Sequence, residues 1–158
     1  MSSISGAARH RAREAALQML YQWEVGRVSA QDAVRTYWPG RDAPPSPDDE
    51  HADFDPEHAI DEIGRAFANA LVTGTIQRVA ETDALIAAHA KNWRLERLAI
   101  IDRLILRMAM YELLAEPETP AKVIINEALE LARTFSADDA VPFVNGVLDA
   151  ARKALERE

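Results

Sequence analysis

Apolar residues recur along this chain with the 3.6-residue period of helices, and no stretch alternates convincingly with the period of two that marks a strand. Between Ala8 and about Val25, Ala12, Ala16, Met19, Leu20 and Trp23 form one stripe, with Arg9 and Arg13 outside it. Ser29 is placed to cap a second helix that ends before Pro39. Ile60, Ile63, Phe67, Ala70, Leu71 and Gly74 mark a third, and Thr82 or Asp83 caps a shorter fourth that runs to about Ala90. Leu98, Ile101, Ile105, Met108 and Leu113 mark a fifth, stopped before Pro117. Pro120, tolerated in a first turn, opens a sixth with Ile124, Ala128, Leu131 and Phe135. Ser136 or Asp138 caps a seventh, whose stripe is Val141, Val144, Leu148, Ala151 and Leu155; Pro142 fits only within its first turn.

One local signal opposes this pattern. Asn145-Gly146 is a typical two-residue hairpin turn, yet it lies inside an apolar stripe of helical period with no alternation on either side. The helix reading prevails, at a propensity cost of about 1 kcal/mol for the glycine. Gly146 and Gly74 are then expected to permit close helix approach. The pattern predicts an all-α chain of about seven helices in two packed small bundles, one over about 8–81 and one over about 82–156.

The residues between the second and third helices change the picture. The segment RDAPPSPDDEHADFDPE holds four of the eight prolines and few apolar side chains, too few to offset its ordering entropy, so 39–57 reads as a mobile loop. The net charge of −8 is also local. Asp42 to Gly64 holds nine acidic residues and no Lys or Arg; removing those nine from 26 leaves 17 against 18 basic residues, a net of +1. A near-neutral body neutralises few phosphates, so any nucleic-acid binding must rest on a small basic patch or on a basic partner.

Length and composition set wider bounds. A chain of 158 residues with 48% hydrophobic and 28% charged residues is most simply one globular domain, or two small subdomains sharing a core. No window approaches the roughly 18 consecutive apolar residues of a membrane span. The start, MSSISGAARHRAR, lacks the apolar core of a signal peptide. Without cysteine there is neither disulfide nor thiolate chemistry, and a bacterial cytoplasm fits these features.

Catalytic signatures are missing. There is no Gly-rich phosphate loop, no HExxH and no GxSxG, so no enzyme and no cofactor are expected. Of the four histidines, His51 and His58 share the acidic loop, where nothing preorganises a metal site, and a solvated insertion is the expectation. Glu127 and Glu130 share a helix face, but nothing marks a dry cleft around them. Asn126, Glu127 and Asn145 lie beside apolar stripes and are expected to be structural, bonding across the last two helices.

The candidate chemistry lies at the start. Arg9, His10, Arg11 and Arg13 fall within five residues, opposed only by Glu14. On a helix Arg9 and Arg13 share a face and Arg11 points away; a flexible entry segment would let all three converge on phosphates. Guanidinium suits this, because its planar donor fork grips phosphate oxygens or stacks on bases. Cations at a helix N-terminus oppose the macrodipole, which argues for a functional reason.

Several segments, in order, resemble one family. They are RHRAREAALQMLYQWE (Arg9 to Glu24), FANALVTGTIQ (Phe67 to Gln77) with Trp93, LAIIDRLILRMAMYEL (Leu98 to Leu113), VIINEALELARTF (Val123 to Phe135) and FVNGVLDAA (Phe143 to Ala151). Together they are similar to the NusB family of bacterial transcription antitermination factors. The resemblance covers nearly the whole chain apart from Pro39 to roughly Glu57 and the extreme ends. It implies an RNA-binding protein that holds the boxA segment of nascent ribosomal RNA with NusE, a basic small-subunit ribosomal protein, on the elongating polymerase.

By the same resemblance Arg9, Arg11 and Arg13 contribute to RNA binding, His10 stands where an arginine can occur, and Tyr21 lies near the RNA surface. Asp139 and Phe143 match positions at the RNA, and Asp102 one at a protein partner. Taken alone, Tyr21 reads equally as a core aromatic and Phe143 more often as one, while Asp139 could cap a helix, accept from a base or tune specificity by repulsion. Ribosomal RNA cytosine methyltransferases carry a similar recruiting domain, which is one alternative; a helical interaction module without RNA affinity is another. Some members of the family form homodimers.

Overall fold

The computed structural model describes residues 5–42, 60–91 and 94–158, with only the backbone described at Gly40 and Asp42. Among them the regular structure is helical: α1 (Gly6–Gly26), α2 (Ala30–Asp42), α3 (Glu62–Gln77), α4 (Val79–His89), a 3-10 turn (Leu95–Arg97), α5 (Ile100–Ala115), α6 (Ala121–Phe135) and α7 (Ala140–Ala154). None is long and apolar enough to cross a membrane. The chain divides into two compact units, Met1–Ala70 and Leu71–Glu158. That division falls inside α3, not after it as the helix pattern suggested. Most of the acidic, proline-rich segment, His51 and His58 among it, and Trp93 lie outside the described residues.

In the first unit, local capping sets the helix starts. Ser5 Oγ accepts from the Ala8 N–H at 3.1 Å, so α1 begins before the arginines. Ser29 Oγ accepts from the Asp32 N–H at 3.0 Å and starts α2 as expected. Asp61, from the acid-rich stretch, accepts from the Gly64 N–H at 2.8 Å and opens α3. Ala12, Ala16, Met19 and Leu20 are buried as the pattern of α1 requires.

Two expectations fail here. α2 runs through Pro39 to Asp42. A proline near a helix end removes one N–H and crowds one carbonyl, and Trp38 holds the preceding turn. Its Nε1 donates to Asn69 Oδ1 at 2.9 Å, and the Arg65 guanidinium sits 5.0 Å from its ring centroid. Ile63, placed in the α3 stripe, is 47% exposed, because capping by Asp61 sets the helix phase and turns Ile63 outward.

The second unit is built on α5, where Leu104, Ile105, Leu106, Met108, Met110 and Leu113 are buried, with Ile124 and Leu131 of α6 and Val144, Leu148 and Ala151 of α7. Thr82 and Asp83 do not cap α4, which starts three residues earlier at Val79. Thr82 is buried and its hydroxyl donates to the Val79 carbonyl at 3.0 Å. Asp83 instead receives a two-pronged bond from Arg107 of α5, Nε to Oδ1 at 2.7 Å and Nη2 to Oδ2 at 3.0 Å.

The two helical glycines differ. A Cβ at Gly74 would lie 2.1 Å from Cζ of Tyr111, so this glycine does permit close approach. A Cβ at Gly146 would meet nothing within 4 Å, and the residue is exposed, so the expected close approach there does not exist. At the chain's end, the Arg157 guanidinium donates to the carbonyls of Leu113, Glu116 and Thr119, tying the α5–α6 connection to the tail.

Candidate nucleic-acid interface

Because Ser5 starts α1, Arg9, His10, Arg11 and Arg13 all lie on one rigid helix and not in a flexible entry segment. Their directions are therefore fixed. Arg9 and Arg13, one turn apart, reach the ring of Phe67 in α3, with guanidinium carbons 5.8 and 5.4 Å from its centroid. Arg11 lies about 160° round the helix from Arg9 and cannot join them. The three arginines do not converge.

Burial separates them further. Arg13, which the resemblance groups with the RNA-binding arginines, is 1% exposed and packs beneath the surface beside Phe67. Arg9 and Arg11 are half-buried, and the Nε of each is enclosed without a hydrogen-bond partner among the described residues. His10 Nε2 lies 2.9 Å from Glu14 Oε1 one turn on, so any charge it carries is countered locally. Tyr21 is 39% exposed, seven residues beyond Glu14 on the same side of α1, which rules out the core-aromatic reading.

The candidates in the second unit gather at the hinge between α6 and α7. Asp102, in the first turn of α5, accepts a hydrogen bond from the Ser136 hydroxyl at the C-cap of α6. Ser136 is thereby diverted from capping α7. Asp139 takes the cap position by backbone, but its side chain makes no capping bond and stands exposed. Phe143 is half-buried one turn into α7.

Ile100, two residues before Asp102, and Phe135, next to Ser136, are 39% and 36% exposed. Phe135 had been placed in the α6 core stripe; it falls at the last position of α6, beyond the packed turns. An acid with one oxygen engaged, beside exposed apolar residues, suits a protein surface better than a phosphate.

The amides expected to bond across the last two helices face outward. Asn126 and Asn145 are exposed, so burial does not oblige them to bond across α6 and α7; Glu127 is half-buried. Sequence reasoning also missed the contact of Phe67 with Arg9 and Arg13. Its separation from Arg9 and Arg13 by more than fifty residues left no local signal. Among the described residues, no group of three or more His, Asp or Glu is arranged to hold a metal ion.

The model of the NusB family matches residues 10–153. The chain belongs to the NusB family. A relative from Solibacter usitatus, called transcription antitermination protein NusB, is 43% identical over 94% of this chain and 91% of its own length. One of the same name from Koribacter versatilis is 40% identical over 99% and 96%. Among solved structures, T. maritima NusB is 28% identical with a TM-score of 0.76, covering 97% of this chain and 93% of that one. A structure of antitermination factors NusB and NusE in complex with dsRNA, 22% identical over 94% and 98%, has the same fold at a TM-score of 0.75. The all-helical fold expected from the pattern is thus that of the NusB family.

Proposed function

We propose that this chain is a non-catalytic antitermination factor of the cytoplasm, which binds boxA of nascent ribosomal RNA together with NusE in an RNA polymerase antitermination complex. The observation that carries this reading is the cationic start of α1 in a member of the NusB family. The first turn of that helix contains no acidic residue, and Arg9 is held at its partly exposed edge over an aromatic ring. Relatives across 94–99% of the chain are named for transcription antitermination, and a protein of the same fold has been seen with NusE and RNA.

Charge explains why two proteins would be needed. Outside Asp42 to Gly64 the chain has a net charge of only +1, too little for strong phosphate neutralisation alone. A basic partner enlarges the positive surface, and the nine acids of that segment supply a field that steers such a partner. The action is scaffolding: guanidinium groups position single-stranded RNA, polar and aromatic groups read bases, and no bond is made or broken.

Fluorescence anisotropy of a boxA RNA and a scrambled control, at two salt concentrations with and without NusE, tests this directly. Selective binding that tightens with NusE is expected. Equal, salt-sensitive binding to both RNAs would reduce the function to a generic basic patch. No binding with NusE present would end the reading.

A further inference from the structure

The Arg9 side chain is supported from outside its own helix. Phe67 of α3 holds two guanidinium groups at once, Arg13 at 5.4 Å and Arg9 at 5.8 Å from the ring centroid, both within the range of attraction between a cation and an aromatic quadrupole. The two arginines are not equivalent. Arg13 is 1% exposed and out of a ligand's reach, whereas Arg9 is half-buried and opens to solvent.

We infer that Phe67 is a positioning residue for RNA binding: its ring fixes the Arg9 guanidinium for a phosphate or base while leaving its charge intact. This rests on the RNA-binding reading above.

Three physical points carry the inference. A carboxylate partner would orient Arg9 equally well but would cancel the charge that attracts phosphate; an aromatic face orients it without cancelling it. Among the described residues Arg9 has no carboxylate partner, and its Nε is without a hydrogen bond. At 5.8 Å from the centroid the contact is one of charge with the ring's quadrupole, and it uses none of the guanidinium's N–H donors.

Energetically, the placement opposes the local fields. Two cations one turn apart, near the positive end of a helix whose first turn holds no acid, repel each other and the macrodipole. The negative face of the Phe67 ring offsets part of that repulsion, and a bound anion relieves the rest. An arginine already fixed also loses less rotamer freedom when the RNA arrives.

The test is a double-mutant cycle on Arg9 and Phe67 with boxA RNA and NusE, using the full chain. Phe67→Leu keeps an apolar side chain but removes the ring, and should weaken binding about three- to tenfold. Phe67→Tyr should restore affinity to near the unchanged level, because the ring returns. Phe67→Leu added to Arg9→Ala should cause little further loss. Phe67→Met serves as the ring-less variant if Phe67→Leu lowers the melting temperature enough to perturb folding.

A second readout needs no RNA. In the free protein, NMR relaxation of the Arg9 Nε–Hε group should show a restrained guanidinium with Phe67 or Tyr in place, and a mobile one with Leu. Equal mobility in both overturns the inference whatever the RNA does. So does full affinity in Phe67→Leu while Arg9→Ala binds weakly. Failure of the unaltered protein to bind boxA RNA, with Arg9 restrained by Phe67 all the same, overturns the functional reading instead.

Discussion

Helices α1 and α5 each send an arginine against a neighbouring helix, with opposite consequences. In the first unit Arg9 lies over the Phe67 ring, beside the buried Arg13. In the second, Arg107 is 7% exposed and clamped through two hydrogen bonds to Asp83 of α4. A planar guanidinium–carboxylate pair neutralises both charges and joins two helices. A guanidinium on a ring is oriented but stays a cation. One arrangement commits the charge to a helix–helix bond, the other leaves it uncancelled, and residue type alone does not distinguish them.

The largest effect should come from breaking the clamp. Asp83→Ala leaves the Arg107 charge in a nearly closed site and is expected to lower stability by about 2–4 kcal/mol in urea unfolding, discounted because Asp83 is itself partly exposed. RNA affinity of the folded fraction should not change. An unaltered urea midpoint would mean the pair contributes nothing, and the comparison would collapse.

Arg9→Ala should behave in the reverse sense. Stability is expected to stay within about 0.5 kcal/mol, while boxA affinity falls several-fold and the salt dependence of log K becomes shallower by about 0.7–0.9. A large loss of stability with unchanged binding would make Arg9 a structural residue like Arg107.

The two glycines sharpen the contrast between committed and open surface inside the second unit. Gly74→Ala drives a methyl into the Tyr111 ring, 2.1 Å from Cζ, and should destabilise by about 1–2 kcal/mol after the gain in helix propensity is included. Gly146→Ala meets nothing within 4 Å and should raise stability by about 0.5–1 kcal/mol. Thermal melts of both variants decide it: the same sign for both would contradict a crowded Gly74 and an open Gly146.

The smallest effect belongs to a partly exposed carboxylate with two cationic neighbours. Hydrogen bonds from Arg152, then from Lys153, hold the Asp149 carboxyl below its ordinary carboxylate value. A carboxyl whose pKa is lowered by folding contributes stability above its unfolded value, and that contribution disappears as pH falls through the folded value. Asp149→Asn should therefore slightly flatten the loss of stability below roughly pH 4 and leave neutral pH nearly untouched. Identical acid titrations of stability for the two proteins would show that solvent screens the interaction completely.

How much was legible follows from how local each signal is. The buried stripe of α1, the Ser29 cap, the stop before Pro117 and the start at Pro120 are readable because periodicity and capping act over a few residues. Thr82 and Asp83 looked like caps for the same reason and were misread. Their side chains answer to Val79 and to Arg107, and a partner 24 residues away leaves no trace in a window of four. Ser136 was similarly diverted to Asp102, 34 residues earlier. At the candidate interface, the arginine cluster and the exposed polar residues could be nominated, but not sorted by exposure.

The sequence by itself determined the helical class, the approximate place of each helix among the described residues, the absence of thiol chemistry, the local acidity and, through its ordered motifs, membership of the NusB family. These depend on composition and short-range periodicity, which a linear string carries in full. Only the tertiary structure decided that Arg13 is buried, that Arg9 lies over Phe67, that Asn126 and Asn145 face solvent, and that Gly74 is crowded where Gly146 is open. Each of those depends on which face of one helix meets another. That is fixed by the packing of side chains far apart in the chain.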